Sequence, residues 1–410
     1  MKSWINNFKL SLFLAVKTLW RGDKWSLVLT VFIMLIVFLN LLFIDAIFKG
    51  IAITMDNGKI NFQYGEVIIE PATGDQYIQQ TNNIVEAIRD FYYIKSVTTH
   101  LRTGAILIND KNKDGRDVAS FSAGVIGIDP QTENQSIDLK SHLLEGRYLR
   151  KGDYGKAMLG SDIAGGYGSS VFPTDLEGVR SGDKIMVEYN NGISREYEIV
   201  GIYKTKNFDT DSKIIVTRDD LNSILGTINE SSEIIVRLME KKYSKQALTD
   251  FSKINLLRKY DISDYQTKLA FGKSINKSFD MIGMILRIIG SLVAGLVIFI
   301  IIFVDIVNRR KQIGILKAIG ISERTIRYSY IIQGMFYTLL GIIFGYVLMQ
   351  FGIIGFFKSH PINFPMGDMV PFIKKESLKM SVILFVLAGL IGSFVPSLKE
   401  VHKKILVLMK

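Results

Sequence analysis

Uncharged, mostly apolar residues run without interruption over 25–44, 288–304, 328–357 and 380–398. A hydrophilic block of 236 residues, 45–280, separates the first run from the other three. A bilayer interior offers the backbone no water, so a chain crosses it as a helix of about 20 apolar residues that satisfies its own N–H and C=O groups. The pattern predicts an α-helical membrane protein with four transmembrane helices and one large extramembrane domain. The expected order is an N-terminal interfacial helix (1–24), a first span (25–48), the large domain (49–279) and a second span (280–307). A cytoplasmic segment (308–327), a third span (328–357), an outer loop (358–379), a fourth span (380–398) and a tail (399–410) follow.

Charge gives the expected orientation. The segments before the first span, between the second and third, and after the fourth carry 15 basic and 3 acidic residues. The rest of the chain has 35 basic and 36 acidic residues, so the whole net charge of +11 sits beside the spans. Basic residues flanking spans stay cytoplasmic, which places both termini and the 308–327 loop inside and the large domain outside. The basic character therefore needs no nucleic-acid partner; the predicted partner of these segments is the lipid bilayer. The first run reaches span length and leads into Asp45, Phe48 and Lys49 rather than a small-residue cleavage site, so it is expected to remain as an anchor. The chain has no cysteine, which is compatible with an exported domain built without disulfides.

Before the first span, Ile5, Phe8, Leu12, Ala15 and Leu19 recur at helical spacing, with Lys9, Lys17 and Arg21 on another side. An interfacial helix or a cytoplasmic extension of the first span both fit that pattern. The large domain reads as α+β. Strand-like runs at 62–70, 94–100, 104–109 and 119–128, and later at 233–238 and 259–262, accompany helical spacing at 83–92 and 244–257. Between them, about 129–230 is richer in strands and turns. Ile185, Val187 and Tyr189 alternate into Asn190-Asn191-Gly192, a hairpin turn signal, and the expected return strand is 194–204. The expected domain is an α+β subdomain with a β-rich inserted subdomain.

Catalytic and metal patterns are mostly absent. His100, His142, His360 and His402 are scattered and no cysteine accompanies them. Gly272-Lys273-Ser274 has Thr267 where a phosphate loop needs its first glycine. Asp110, Asn112, Asp114 and Gly115 begin like a calcium loop, but Phe121 stands where a bidentate Glu belongs, and strand-like flanks favour a hairpin turn. No catalytic residue and no metal ligand is assigned. Asp45, Arg287 and Asp305 lie near span ends, where snorkelling accounts for them and no buried charge cluster is expected.

The informative stretch is the cytoplasmic loop. From Arg309 to Gly320 it reads Arg-Arg-Lys-Gln-Ile-Gly-Ile-Leu-Lys-Ala-Ile-Gly. Ile313, Leu316 and Gly320 share a helical stripe beside Ile315 and Ile319, Gly320 is a natural stop, and Ser322 can cap the next helix. A short amphipathic helix here can lie on anionic lipid or fill a groove on a partner protein. Basic residues at its N-terminus oppose the helix dipole, and its compact apolar face suits a groove. In the third span Gly334, Gly341, Gly345 and Gly352 allow a close helix neighbour, within the chain or in a second permease.

This segment resembles the coupling motif of the ABC permease family that includes LolC/LolE, MacB and FtsX, commonly Arg-x-x-Glu-Ile-Gly-Ile-Leu-Arg/Lys-Ala-x-Gly. Gln333-Gly334-Met335 follows as in that family. Glu145-Gly146-Arg147, Met158-Leu159-Gly160-Ser161, Ser181-Gly182-Asp183 and Ile199-Val200-Gly201-Ile202 occur in its exterior-domain order. Gln312 departs from the family's usual Glu. The resemblance implies a non-catalytic mechanotransmission permease in the inner membrane of a prokaryote. It implies a separate cytoplasmic ABC ATPase holding ATP and Mg, a second permease as homodimer or paralogue, and a lipoprotein or other hydrophobic cargo, with or without a soluble carrier. Arg309, Arg310, Gln312, Ile313, Ile315, Leu316, Lys317, Ile319 and Gly320 become the expected ATPase-coupling residues. An FtsX-like signal transducer that activates a cell-wall hydrolase without moving cargo is the alternative.

Overall fold

The computed structural model describes residues 2–21, 24–111, 118–168, 175–269, 272–364 and 367–403, without the side chains of 2–7 and 272–276. Asn112, Asp114 and Gly115 of the calcium-like stretch, Pro365, Lys404 and Lys410 therefore lie outside the described residues. So do the side chains of Ile5 and of Lys273 and Ser274. Two compact units divide the chain. One comprises Met1–Ala52, Asn276–Ile362 and Met369–Lys410, and the other Ile53–Ile275 with Asn363–Asp368.

Among the described residues four helices are long and apolar enough to cross a membrane: Lys24–Tyr64, which begins in the first unit, and Lys277–Asn308, Glu323–Ser359 and Lys375–Val401 within it. The first, at 41 residues, is about 60 Å long by helical rise, twice the ~30 Å of a hydrocarbon core. It is helical over Lys24–Lys59 and ends in a π turn, Ile60–Tyr64. A second π turn, Leu348–Ile353, interrupts the third span. Met34, Phe38, Leu41 and Leu42 of the first span meet Ala294, Ile298 and Ile302 of the second and Phe385 of the fourth in one buried cluster. Phe38 packs edge-on against Phe385 with centroids 4.9 Å apart.

The N-terminal helix, Lys2–Arg21, packs on the third span. Ser11 donates to the Thr325 carbonyl at 2.9 Å, and Ala15 is buried. Phe8, Leu12 and Phe13 remain exposed. The expected apolar stripe is thus split. Ala15 faces the protein, while Phe8 and Leu12 lie on the exposed side.

The second unit is the α+β domain. The strands of its ten-stranded sheet are β1 (Val67–Glu70), β2 (Ile94–Asp110), β3 (Val118–Ile128), β4 (Leu143–Gly146), β5 (Lys156–Gly160), β6 (Lys184–Tyr189), β7 (Ser194–Tyr203), β8 (Lys213–Thr217), β9 (Glu233–Leu238) and β10 (Asp261–Asp264). The first half of β2 pairs with β9, β9 with β1 and β1 with β10, all antiparallel. Helices Thr81–Arg89 and Ser244–Lys253 cover this sheet. Ile84, Ile88, Ala247 and Phe251 pack there on Val67, Ile69, Val97 and Val236. The second half of β2 enters a closed ring of pairings running β2-β3-β8-β5-β7-β6 and back to β2. Leu107, Val125, Leu159, Val187, Tyr197, Ile199 and Val216 fill its interior, as a small barrel requires.

Two expectations shift. The runs 94–100 and 104–109 are one strand, β2, because Leu101 and Thr103 continue the ladder opposite Gly127 and Val125. The β-rich part therefore starts near residue 101 and takes β2 and β3 from before 129. Conversely, 60–64 extends the first span as a π turn and only 67–70 is strand. The 184–203 hairpin forms in register Lys184↔Glu198 through Glu188↔Ser194, with Gly192 at φ 84° in the left-handed region its turn demands. The calcium-like stretch joins β2 and β3, which pair as far as Asp110↔Val118.

Candidate functional site

The coupling segment folds as a helix, Arg310–Ala318, and its end is built as the sequence dictates. Gly320 takes φ 94°, its N–H donates to the Lys317 carbonyl at 3.0 Å, and the Ile321 N–H donates to the Leu316 carbonyl at 3.0 Å. That pair of bonds is the Schellman closure for which glycine is the least strained residue. Ser322 then caps the third span, its hydroxyl accepting from the Thr325 N–H at 3.3 Å, with Glu323 in the first turn where the dipole favours it.

The helix is divided lengthwise. Ile313 is 1% exposed and joins Ile306, Ile326, Tyr330 and Val401 in the core of the spanning unit, with Leu316 packed partly against them. Ile315 is 53% and Ile319 70% exposed, and Lys311 and Gln312 share that open side. Of the residues expected to couple, Gln312, Ile315 and Ile319 therefore form one outward stripe. Ile313 and Leu316 are the helix's own footing.

Ion pairs hold this footing. Arg310 reaches Glu400 at the end of the fourth span at 2.7 Å, and Lys403 donates to the same carboxylate at 2.7 Å. Lys317, nearly buried, binds Glu323 at 2.8 Å and the Lys403 carbonyl at 2.9 Å, while His402 lies 3.1 Å from Glu323. Arg309 pairs with Asp305 one turn back at 2.8 Å. Four of the basic residues that mark this side of the spans are thus tied to protein carboxylates. Sequence reading missed the Arg310–Glu400 pair because 90 positions separate the two residues and no local spacing connects them.

A second missed pair corrects the reading of Asp45 and Arg287. They do not snorkel separately: Arg287 donates to Asp45 at 2.8 Å and both are buried. Lys49 pairs with Asp280 nearby, and Phe48 stacks on Phe279 at 5.6 Å. Asp305 is taken up by Arg309. The spanning unit therefore does contain a buried charge pair, which clasps the first span to the second.

Three of the third-span glycines, Gly334, Gly341 and Gly345, pack against other helices of the chain. A Cβ on Gly334 would meet Ser393 of the fourth span at 2.5 Å, and one on Gly341 would meet Met34 of the first at 2.8 Å. On Gly345 it would meet Phe38 at 3.0 Å. Among the described residues, a Cβ on Gly352 would meet within 4 Å only Leu348 of its own turn. Among the described residues, no group of three or more His, Asp or Glu could hold a metal ion.

Residues 284–405 match the family model for the FtsX-like permease C-terminal domain. The HrtB permease protein, assigned to a hemin transport system in Staphylococcus epidermidis, is 24% identical over 225 residues, covering 54% of this chain and 57% of that protein. YvrN, an uncharacterized ABC transporter permease of Bacillus subtilis, is 25% identical over 226 residues, 51% of this chain and 53% of its own. The chain thus spans little more than half the length of these relatives. The periplasmic region of MacB from Actinobacillus actinomycetemcomitans overlays 51% of this chain and 92% of its own, at 16% identity and a TM-score of 0.35. From most of the second span to just past the end of the fourth, with helix Arg310–Ala318 between them, the chain is similar to the FtsX-like permease C-terminal family model.

Proposed function

We propose that this chain is the membrane subunit of an ABC transporter of the mechanotransmission type, driven by a separate ATPase that holds ATP and Mg. The ATPase seats on the stripe formed by Lys311, Gln312, Ile315 and Ile319. One observation supports this most directly: the coupling helix buries Ile313 yet leaves Ile315 and Ile319 open, and it is fastened at both ends through Arg310–Glu400 and Lys317–Glu323. An apolar stripe on a pinned helix suits a receiving surface, because force on it passes into the third and fourth spans through those ion pairs. Gln312 replaces an expected carboxylate, so the contact rests on apolar area more than on a charge pair. In this reading both termini are cytoplasmic, the α+β unit is extracytoplasmic and a second permease completes the transporter. The cargo is hydrophobic, a lipoprotein or a smaller molecule; the hemin named for the HrtB relative is of that character.

Copurification tests the reading. Wild-type protein from its native membrane should bring down an ABC ATPase, and Ile315→Glu with Ile319→Glu should lose it while inserting normally. An ATPase retained by the double variant overturns the assignment.

A further inference from the structure

The α+β unit holds a cleft of about 440 Å³, within the range of small-ligand sites. Helix Thr81–Arg89, the start of β2 and the beginning of helix Arg218–Leu225 wall it, with Lys151 at its side. Thr98, Thr99, Thr217 and Asn222 give the lining a hydroxyl and amide character. Three cations converge there, Arg89, Lys151 and Arg218, and none has an ion-pair partner among the described residues. Elsewhere in the unit Arg102, Arg147, Arg180, Arg195 and Arg237 each face a carboxylate. Two carboxylates also line the cleft. Asp129 is engaged, accepting from the Gln131 N–H at 2.9 Å as a helix cap, and Asp219 is open to solvent. Positive charge remains in excess by one.

Arg218 gives the cleft its direction. Half-buried, its guanidinium donates to the Glu230 carbonyl at 2.7 Å and to the Thr99 hydroxyl. Both acceptors are neutral, and five N–H donors exceed them. Asp129 and Asp219 favour the charged guanidinium only from beyond ion-pairing distance, so a guanidinium withdrawn from water here gains from an anion that enters in direct contact with it. We propose that this cleft binds a polar ligand carrying carboxylate or phosphate groups, with Arg218 as the central contact and Arg89 and Lys151 at the mouth. The inference is independent of ATPase coupling.

Calorimetric titration of the full-length protein in uncharged detergent tests it, with triglutamate and pyrophosphate as anionic probes and triglutamine as the neutral control. At low ionic strength at least one anion is expected to bind saturably. Lys151→Glu should weaken it about tenfold, as reversal of a contact charge does, and Arg218→Gln should abolish it. Arg89 and Lys151 are exposed, so Arg89→Glu and Lys151→Glu keep the fold even if Arg218→Gln does not. Binding of triglutamate alone assigns a peptide carboxylate, and of pyrophosphate alone a phosphate ligand. Absence of saturable binding by both, equal binding of triglutamine, or unchanged affinity in both exposed variants overturns the site.

Discussion

Arg287 of the second span and Asp45 of the first, 242 residues apart in sequence, meet at 2.8 Å with both side chains out of solvent. A lone charge in such a place is far costlier than a pair, so each residue makes the other tolerable. Asp45→Ala is expected to lower unfolding stability in detergent by about 3–5 kcal/mol, because the guanidinium stays buried and unpaired. Asp45→Leu combined with Arg287→Met should be more stable than either single change. Additive losses in that double-mutant cycle would show that the two charges do not act as a pair.

Helix Arg310–Ala318 separates buried from open positions at neighbouring residues. Ile313 fills the core of the spanning unit, and Ile313→Ala should cost about 2–5 kcal/mol, the transfer and cavity terms of a buried isoleucine. Ile315→Ala, on the open side, should stay within about 0.5 kcal/mol of wild type. Denaturant titration of the two variants checks the division. Equal losses would mean that the outward stripe is also core.

Much of this was legible in the sequence, for physical reasons that also mark where legibility stops. The four spans announce themselves because a bilayer forbids charge over about 20 residues, and each of the four runs lies within one spanning helix. The helix stop at Gly320 and the cap at Ser322 are local geometry, and both form as read. Long-range partners are another matter. Ile313 and Ile315 are equally apolar, and only the packing of Val401 and Ile326 around the first decides which of them faces in. The barrel closes through β6 pairing with β2 and β3 pairing parallel with β8, non-local choices that period-two alternation cannot encode.

His100 supplies a pH dependence. On β2 it sits fully buried between Glu133, 2.9 Å from Nε2, and Glu233, 2.8 Å from Nδ1, with Arg102 also on Glu233 at 2.8 Å. Burial alone would disfavour its charge, but the two carboxylates override that and raise its pKa to about 9. A folded value above the ordinary 6.5 means that the contribution is complete below pH 6.5 and is lost as pH rises through 9. The linkage is worth about 3 kcal/mol. Thermal unfolding of wild type should weaken between pH 6.5 and 9.5, and His100→Gln should be less stable at pH 6.5 with a flatter profile. A wild-type profile as flat as the variant's would mean that His100 is neutral in the fold.

Gly341 and Gly352 differ in what their missing side chains would touch, and the difference tells packing within the chain from packing against another. At Gly341 a Cβ would fall 2.8 Å from Met34 Cβ and 3.0 Å from Met34 backbone carbon, neither of which can rotate away. Gly341→Val must push the third span off the first, and should cost about 1–3 kcal/mol or more and lower the yield of folded protein. At Gly352 the sole neighbour within 4 Å among the described residues is the side chain of Leu348, chiefly its Cδ1 at 3.0 Å, so Gly352→Ala needs only a rotamer adjustment and gains helix propensity. Thermal stability in detergent should therefore fall for the first variant and hold for the second. Loss of transport activity in Gly352→Ala at unchanged monomer stability would instead mark that glycine as the seat of a neighbouring permease.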